Sequence, residues 1–528
     1  MTAAADEKLT GWRFLLLNVA LGAANVIALS NVPGYTIMVP YVSGDLGGVT
    51  PSFGTWGTTD HMMGIVMGLP FARWLSGRYG NHRVYVAAFL AYAFFSLLCA
   101  MSETIWLFVP FRFLLGLAGG VILPLGQALA LGEYPERYRT FGVALWGVLS
   151  MAPFTLGVFM GGFWAEYFDW RTLFISNIAL GLPIAGVVGA LLYGRSYERR
   201  ITRFDWVGFL LLTIVLVGAQ TILNMGNDFD WLASPLLMTI FVAVLIALPT
   251  FVVWELGERH PVLDLRLFAH RNYAVATICS VMGFLVVQGS LSVFVGQLQL
   301  LLGYTSSLAG VVYLLMAFLA VPLVAIVHEL VRNVDLRLLA SLNFIGFGVT
   351  LTWLGMFDKP ASFDQIAAPM VFFGFSLATF FAPPAAIGMQ GLSGQRLIRA
   401  AEEMAMLRTA AGAYGISLQY VVQFRRSPFH QLDLADFFGG RRFASLDLLG
   451  QLNEKLQAMG LSEAVTRSLM GRMIRQQSQL LGLGDAFLQG GFIFVCLAGF
   501  VWLARPAAKP EPKPDLIRLE AEELMEQP

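Results

Sequence analysis

The sequence predicts an all-α polytopic membrane protein, and three observations predict it. Of its 528 residues 57% are hydrophobic and only 13% charged, against roughly 45–50% and about 25% in soluble domains. The apolar residues gather into runs of about 20, the length that crosses a bilayer as a helix. Lys and Arg alternate from loop to loop in the way short cytoplasmic and outward loops differ.

Windows of about 19 residues place spans at 14–38, 54–74, 84–101, 106–128, 140–163, 172–193, 206–224, 233–253, 273–297, 307–327, 336–355, 366–390, 404–422 and 487–504, fourteen in all. A soluble chain this apolar would expose large adhesive patches. The spans are read as helices because backbone polar groups in hydrocarbon must be satisfied within the segment. The alternation of a β-barrel, in segments of about ten residues, is missing.

Charge tests the count independently. With the N-terminus inside, 22 of the 34 Lys and Arg fall in inward segments. The short outward loops hold Arg171 and Lys359, and Arg112 and Arg408 lie within spans. The remaining eight lie in one long outward segment, 423–486; long loops translocate regardless of charge. One missed span would invert everything after it. Both termini are therefore expected in the cytoplasm, and the start MTAAADEKLTGWR leads into a retained first span rather than a signal peptide.

Several chemistries are missing. Cys99, Cys279 and Cys496 lie far apart in apolar runs, with neither disulfide nor metal spacing. Net charge is zero, unlike a basic nucleic-acid-binding domain. Gly-Lys never occurs, so no Walker A loop is present. Arg332 stands where a zincin beginning at His328 and Glu329 needs its second His, and no Gly-x-Ser-x-Gly elbow occurs. No enzyme and no cofactor is expected; if the protein transports, an ion gradient drives it.

Motifs narrow the reading. The segment RWLSGRYGNHR after the second span resembles the major facilitator loop Gly-x-Leu-Ala-Asp-Arg-x-Gly-Arg-Arg, through Leu75, Arg78, Gly80 and Arg83, with Arg73 and Gly77 replacing the usual Gly and Asp. Arg112 and Gly116 look like that superfamily's Arg-x-x-x-Gly motif. Gly157, Gly161 and Gly162 look like its antiporter motif, with Val158 where Pro is usual. Trp170, Arg171, Phe174 and Asn177, the stretches 40–48 and 298–310, and the segment 396–430 are similar to the fourteen-span drug:proton antiporters of the EmrB/QacA type. This resemblance covers essentially the whole chain.

It implies two six-helix bundles, 1–203 and 271–505, with a two-helix insert at 204–270, an extracytoplasmic helical loop at 423–486 and a cytoplasmic tail at 506–528. It implies proton-coupled efflux of amphipathic organic compounds across a bacterial inner membrane by alternating access about a midplane site. It also implies a periplasmic adaptor and an outer-membrane channel as partners. Two alternatives stand beside it: a same-fold transporter of one defined metabolite, siderophore or lipid, and a non-transporting scaffold or sensor.

Ionisable groups within spans are functional candidates. Asp60 and Arg112 each lie about six residues from the outer end of a span, roughly 9 Å deep at 1.5 Å per residue, with His61 adjacent. Three readings stay open: a proton-coupling cluster in which Asp60 grips Arg112, a static ion pair, and an Asp60 solvated near the headgroups. The subfamily usually carries an acid in span 1, at the position of Asn31 here. Arg408, preceded by Glu402 and Glu403, is either an inner gate or a snorkelling cation. Arg78 and Arg83 either contact that gate or only set topology. Asn31, Tyr35, Gln127, Gln288 and Gln297 are candidates to line the substrate cavity or to bond between helices. In 423–486, apolar positions at helical spacing (Leu446, Leu449, Leu452, Leu456) predict a hairpin outside the membrane, to dock a partner or cap the transporter.

Overall fold

A computed structural model describes residues 8–195, 203–357, 361–438, 451, 454–460 and 462–506. Among these, every regular element is helical, as apolar segments without water to solvate their backbones must be. In chain order they are α1 (Gly11–Asp45), α2 (Pro51–Gly54), α3 (Trp56–Tyr79), α4 (Asn81–Ala100), α5 (Ile105–Glu133), α6 (Arg139–Ala152), α7 (Val158–Tyr167), α8 (Thr172–Leu191), α9 (Trp206–Met225), α10 (Pro235–Gly257), α11 (Arg271–Leu300), α12 (Ser306–Asn333), α13 (Leu336–Gly355), α14 (Phe363–Phe380), α15 (Ala382–Met389), α16 (Gly394–Phe438) and α17 (Glu463–Phe500).

Among the described residues, twelve helical segments are long and apolar enough to cross a membrane. The expected fourteen exceeds that set by α3 and α16. These two carry the charges: Asp60, Arg73 and Arg78 on α3, Glu402, Glu403 and Arg408 on α16. Both are nonetheless packed into the bundle, α3 on α5 and α16 on α11 and α17. One expected span is built from two pieces, α6 and α7, joined by a π turn at Pro153–Gly157. Another bends at Phe381 between α14 and α15, where Pro383 and Pro384 follow, residues that cannot donate helix hydrogen bonds.

Helices α1 and α3–α8 pack on one another, and α11–α17 form a second group. The pair α9–α10 stands outside both, with α9 touching α3 and α16. Glycines set the closest crossings. A Cβ on Gly64 would lie 2.1 Å from the Phe113 carbonyl oxygen, and one on Gly116 2.0 Å from that of His61, so α3 and α5 meet backbone to backbone as small-residue interfaces allow.

Two helices overrun any bilayer. With 45 and 38 residues, α16 and α17 are about 68 and 57 Å long at 1.5 Å per residue, against roughly 30 Å of hydrocarbon. Beyond the bundle they run side by side, joined where Asp485 Oδ2 accepts from Arg426 Nε at 2.5 Å and meets His430 Nε2 at 2.8 Å. The 423–486 segment thus begins and ends as continuations of neighbouring helices. Its expected core at Leu446, Leu449 and Leu452, like 507–528 of the tail, lies outside the described residues.

Candidate functional site

The site begins with Arg112. Close approach of α5 to α3 buries its side chain completely. Nε donates to the Gly57 carbonyl at 2.9 Å, and the two terminal nitrogens to Asn31, one to Oδ1 at 3.4 Å and one to the backbone oxygen at 3.3 Å. The guanidinium lies 4.5 Å from the Tyr35 ring and 5.4 Å from that of Phe174, a cation–π setting strengthened by exclusion of water. Asn31 and Asn177 exchange reciprocal amide hydrogen bonds at 3.0 and 3.1 Å. Asn31 Nδ2 also donates to the Tyr92 hydroxyl at 2.6 Å, and Asn177 Nδ2 to Ser96 Oγ at 3.1 Å. One buried network thereby joins α1, α3, α4, α5 and α8.

The expected grip of Asp60 on Arg112 is not formed. Arg112 is taken up instead by the Gly57 carbonyl and by Asn31. Asp60 is buried, and its Oδ1 has no hydrogen-bond partner among the described residues. His61 is buried with Nδ1 3.3 Å from the Arg112 carbonyl oxygen, and Nε2 is without a partner. Next to Asp60, Thr59 Oγ1 accepts from Asn224 of α9 at 2.8 Å. Asn224 Oδ1 in turn accepts from Ser417 of α16 at 2.6 Å, and Ser417 Oγ accepts from Gln220 at 2.7 Å. The insert helix thus bridges the two groups of helices.

The remaining candidates are scattered. Tyr35 is buried and donates to the Gly54 carbonyl at 3.1 Å. Gln297 donates to Gln423 at 3.0 Å; Gln288 is buried with Oε1 unpartnered; Gln127 is exposed. Asn31 holds Arg112 within the helix packing. Arg408 stacks on Phe381 at 4.6 Å and Phe284 at 5.8 Å and pairs with neither preceding glutamate. Glu402 instead takes Arg73 at 3.0 Å, and Glu403 accepts from the Asp264 amide at 2.8 Å. Phe154, in the π turn, touches both Phe284 and Phe381, so the helix groups meet through rings beside Arg408. Leu75 and Arg78 lie in the last turns of α3, with Arg78 over Trp74 at 6.0 Å. Gly80 ends that helix with φ of +89°, a conformation that favours glycine, and Arg83 opens α4.

The Arg73–Glu402 pair links α3 to α16, yet the two side chains are 38% and 36% exposed. Exposed pairs contribute about 0–1 kcal/mol. Glu402→Gln is therefore expected to change thermal stability by no more than about 1 kcal/mol, checked by a denaturation curve of the purified protein; a larger loss would mean that this bridge holds the halves together.

The Major Facilitator Superfamily sequence profile matches residues 19–419. The chain belongs to this superfamily. As a major facilitator it is a secondary transporter and not an enzyme, and it is a multi-pass membrane protein. It is 29% identical over 498 residues to the fatty acid resistance protein FarB of Neisseria gonorrhoeae, covering 94% of this chain and 97% of that one. It is 27% identical over 502 residues to the multidrug export protein EmrB of Escherichia coli K12, covering 95% and 97%. Among solved structures, a bacterial homolog of the human lysosomal transporter Spinster in an inward-facing, occupied conformation aligns with a TM-score of 0.58 at 14% identity, over 94% of this chain and 97% of that one; that likeness concerns the fold.

In this major facilitator the antiporter-motif glycines lie at helix crossings. A Cβ on Gly157 would lie 2.9 Å from Pro33, and one on Gly161 2.4 Å from the Gly34 carbonyl oxygen, both on α1. Gly162 faces the other way, and a Cβ there would lie 2.3 Å from the Ser306 carbonyl oxygen on α12. Around this contact Ser306 Oγ donates to the Gly162 carbonyl at 3.0 Å, Ser307 N to Glu166 at 2.8 Å, and Gln299 to the Ile37 carbonyl at 3.0 Å. The two helix groups are thus sealed together at the face away from the termini, while a cavity of about 950 Å³ opens at the face that bears them. Sequence reasoning missed Gly57, Tyr92 and Ser96 as partners in the Arg112 network. The spacing of Tyr92 and Ser96 by four on an apolar helix was the available signal.

Proposed function

We propose that this major facilitator exports amphipathic organic compounds from the cytoplasm in exchange for protons, as the inner-membrane pump of a system with a periplasmic adaptor and an outer-membrane channel. The observation that carries the coupling is Asp60: a buried carboxyl with an unpartnered oxygen and no cation bonded to it, on the helix whose Gly57 carbonyl holds Arg112. Such a group is suited to exchange a proton with whichever side admits water. His61 and Arg112 neighbour it, and protonation of Asp60 alters the field around the guanidinium. The span-1 position carries Asn31, which does not titrate and here orients Arg112.

Both termini are then cytoplasmic, by the loop charges, with α3 and α16 the second and thirteenth of fourteen spans. The chain divides into 1–203, a 204–270 insert and 271–505. Sealing at the face away from the termini is then closure on the periplasmic side. The names of FarB and EmrB as resistance and export proteins support direction and substrate class. The overrun of α16 and α17, with Leu432 and Met473 exposed on them, supports a partner outside the membrane.

The test is proton release from proteoliposomes with a pH-sensitive dye as amphipathic compounds are added. Native protein is expected to release protons on substrate addition, and Asp60→Asn to lower that signal at least tenfold while substrate binding persists. Undiminished release by Asp60→Asn would remove Asp60 from the coupling.

A further inference from the structure

The cavity at the terminal face takes its walls from all three parts of the chain: the end of α3, the segments flanking α9 and α10, and the first turns of α16. None of Asn31, Tyr35, Gln127, Gln288 or Gln297 lines it. Five arginines face three carboxylates there, and the carboxylates are occupied. Glu402 pairs with Arg73, Asp205 accepts from the Gly208 amide and the Trp254 indole, and Asp264 accepts from the Arg266 amide. Arg195 is bonded to Glu133. Arg203, Arg396 and Arg399 are left without an ion pair among the described residues; Arg399 lies in the field of Glu402 and Glu403 but bonds to neither.

Beside these cations stands an aromatic wall. Trp74 and Phe204 have ring centroids 5.3 Å apart, and Phe204 stacks on Phe71 at 5.0 Å, with Trp206 adjoining. Tryptophans gather at the level of lipid headgroups, and arginine binds phosphate and carboxylate in a fixed fork. A cavity lined by both unpaired cations and aromatic rings fits a ligand with a charged head and an apolar chain.

We propose that this cavity binds an amphipathic anion, its phosphate or carboxylate among Arg203, Arg396 and Arg399 and its first carbons along Trp74 and Phe204. The molecule comes from one of two sources: an anionic phospholipid of the cytoplasmic leaflet, or a single-chain amphiphile from the cytosol. Because the walls belong to both helix groups, occupancy favours the present spacing of their inner ends; a ligand shifts an equilibrium by its differential affinity for the two states.

Binding is read without a gradient or transport, so its outcome is independent of proton coupling. The full chain, purified in a neutral detergent, is titrated with dioleoyl phosphatidylglycerol, oleate and dioleoyl phosphatidylcholine, and bound molecules are counted by native mass spectrometry. Combined Arg203→Gln, Arg396→Gln and Arg399→Gln is expected to weaken the anionic ligand at least tenfold and leave phosphatidylcholine unchanged. The same three positions changed to Lys are expected to hold affinity within threefold. Phosphatidylglycerol losing affinity while oleate never binds identifies the leaflet as source. Oleate displacing it, with the same tenfold loss, identifies the single-chain source. Should the triple Gln variant fail to fold, Arg396→Gln alone is expected to weaken binding about threefold. Anionic ligands that bind native and Gln forms equally overturn the proposal.

Discussion

Arg112→Met is expected to cut transport at least a hundredfold while leaving thermal stability unchanged or higher. Arg112 is fully buried and no carboxylate neutralises it among the described residues. A charge in that position carries a penalty of several kcal/mol even after carbonyl and ring contacts. Methionine fills similar space without the charge, and the Asn31–Asn177 pair keeps its reciprocal bonds, so the fold has little to lose. A group that destabilises its own site is retained for what it does. Arg112→Lys keeps the charge but not the fork that reaches Gly57 and Asn31 together, and is expected to fall between native and Met. Transport and melting temperature measured on the same preparations decide it. Collapse of both together in the Met form would make Arg112 a packing element.

Gly162→Ala is expected to move the resting population toward the state open to the periplasm. Its new methyl would lie 2.3 Å from the Ser306 carbonyl oxygen, and backbone cannot yield as a flexible side chain can. Overpacking of this kind costs about 1–3 kcal/mol, or roughly a 5- to 150-fold change in the equilibrium between states. Under the proposed alternating access only the sealed state carries this cost, because α7 and α12 would part on outward opening. Spin labels at Phe168 and Leu308 would report a longer distance in the Ala variant. Gly161→Ala is the control: its methyl strikes Gly34 within the same helix group, so it should impair assembly without changing that distance. Equal distances in native and Gly162→Ala protein would remove the crossing from the gate.

Much of the fold was legible because bilayer length and loop charge are global constraints. Apolar runs located the helices; the fourteen spans that loop charge implies exceed by α3 and α16 the twelve segments apolar enough to cross among the described residues. What failed to show was whatever depends on which way a side chain faces. Asp60 and Arg112 read as similar in depth, yet Arg112 bonds Gly57 and Asn31, and depth is the only coordinate a window of residues supplies. Asn31 read as a missing acid; its role as the hinge of an amide pair needed Asn177 beside it, 146 positions away. Phe174 and Asn177 entered only through resemblance, and their reason is contact with Arg112 and Asn31. The π turn at Pro153–Gly157 left no periodic trace, since one extra residue in an apolar run changes nothing in its composition. Apolarity also marked only the central part of α16, whose polar first turns hold Arg73 through Glu402 and whose length exceeds what a bilayer needs.

The unbroken course of α16, which continues through Pro428 to Phe438, has a mechanical meaning. Nothing separates the part within the bundle from the part beyond it, and Asp485 fastens α17 alongside. The pair is a rigid spar continuous with the second helix group. With about 24 Å of α16 beyond residue 422, a tilt of about 10° swings its end through about 4 Å at the rise of an ideal helix. Under the proposed alternating access, a partner docked on that tip would be levered once per cycle, at a distance from the bilayer.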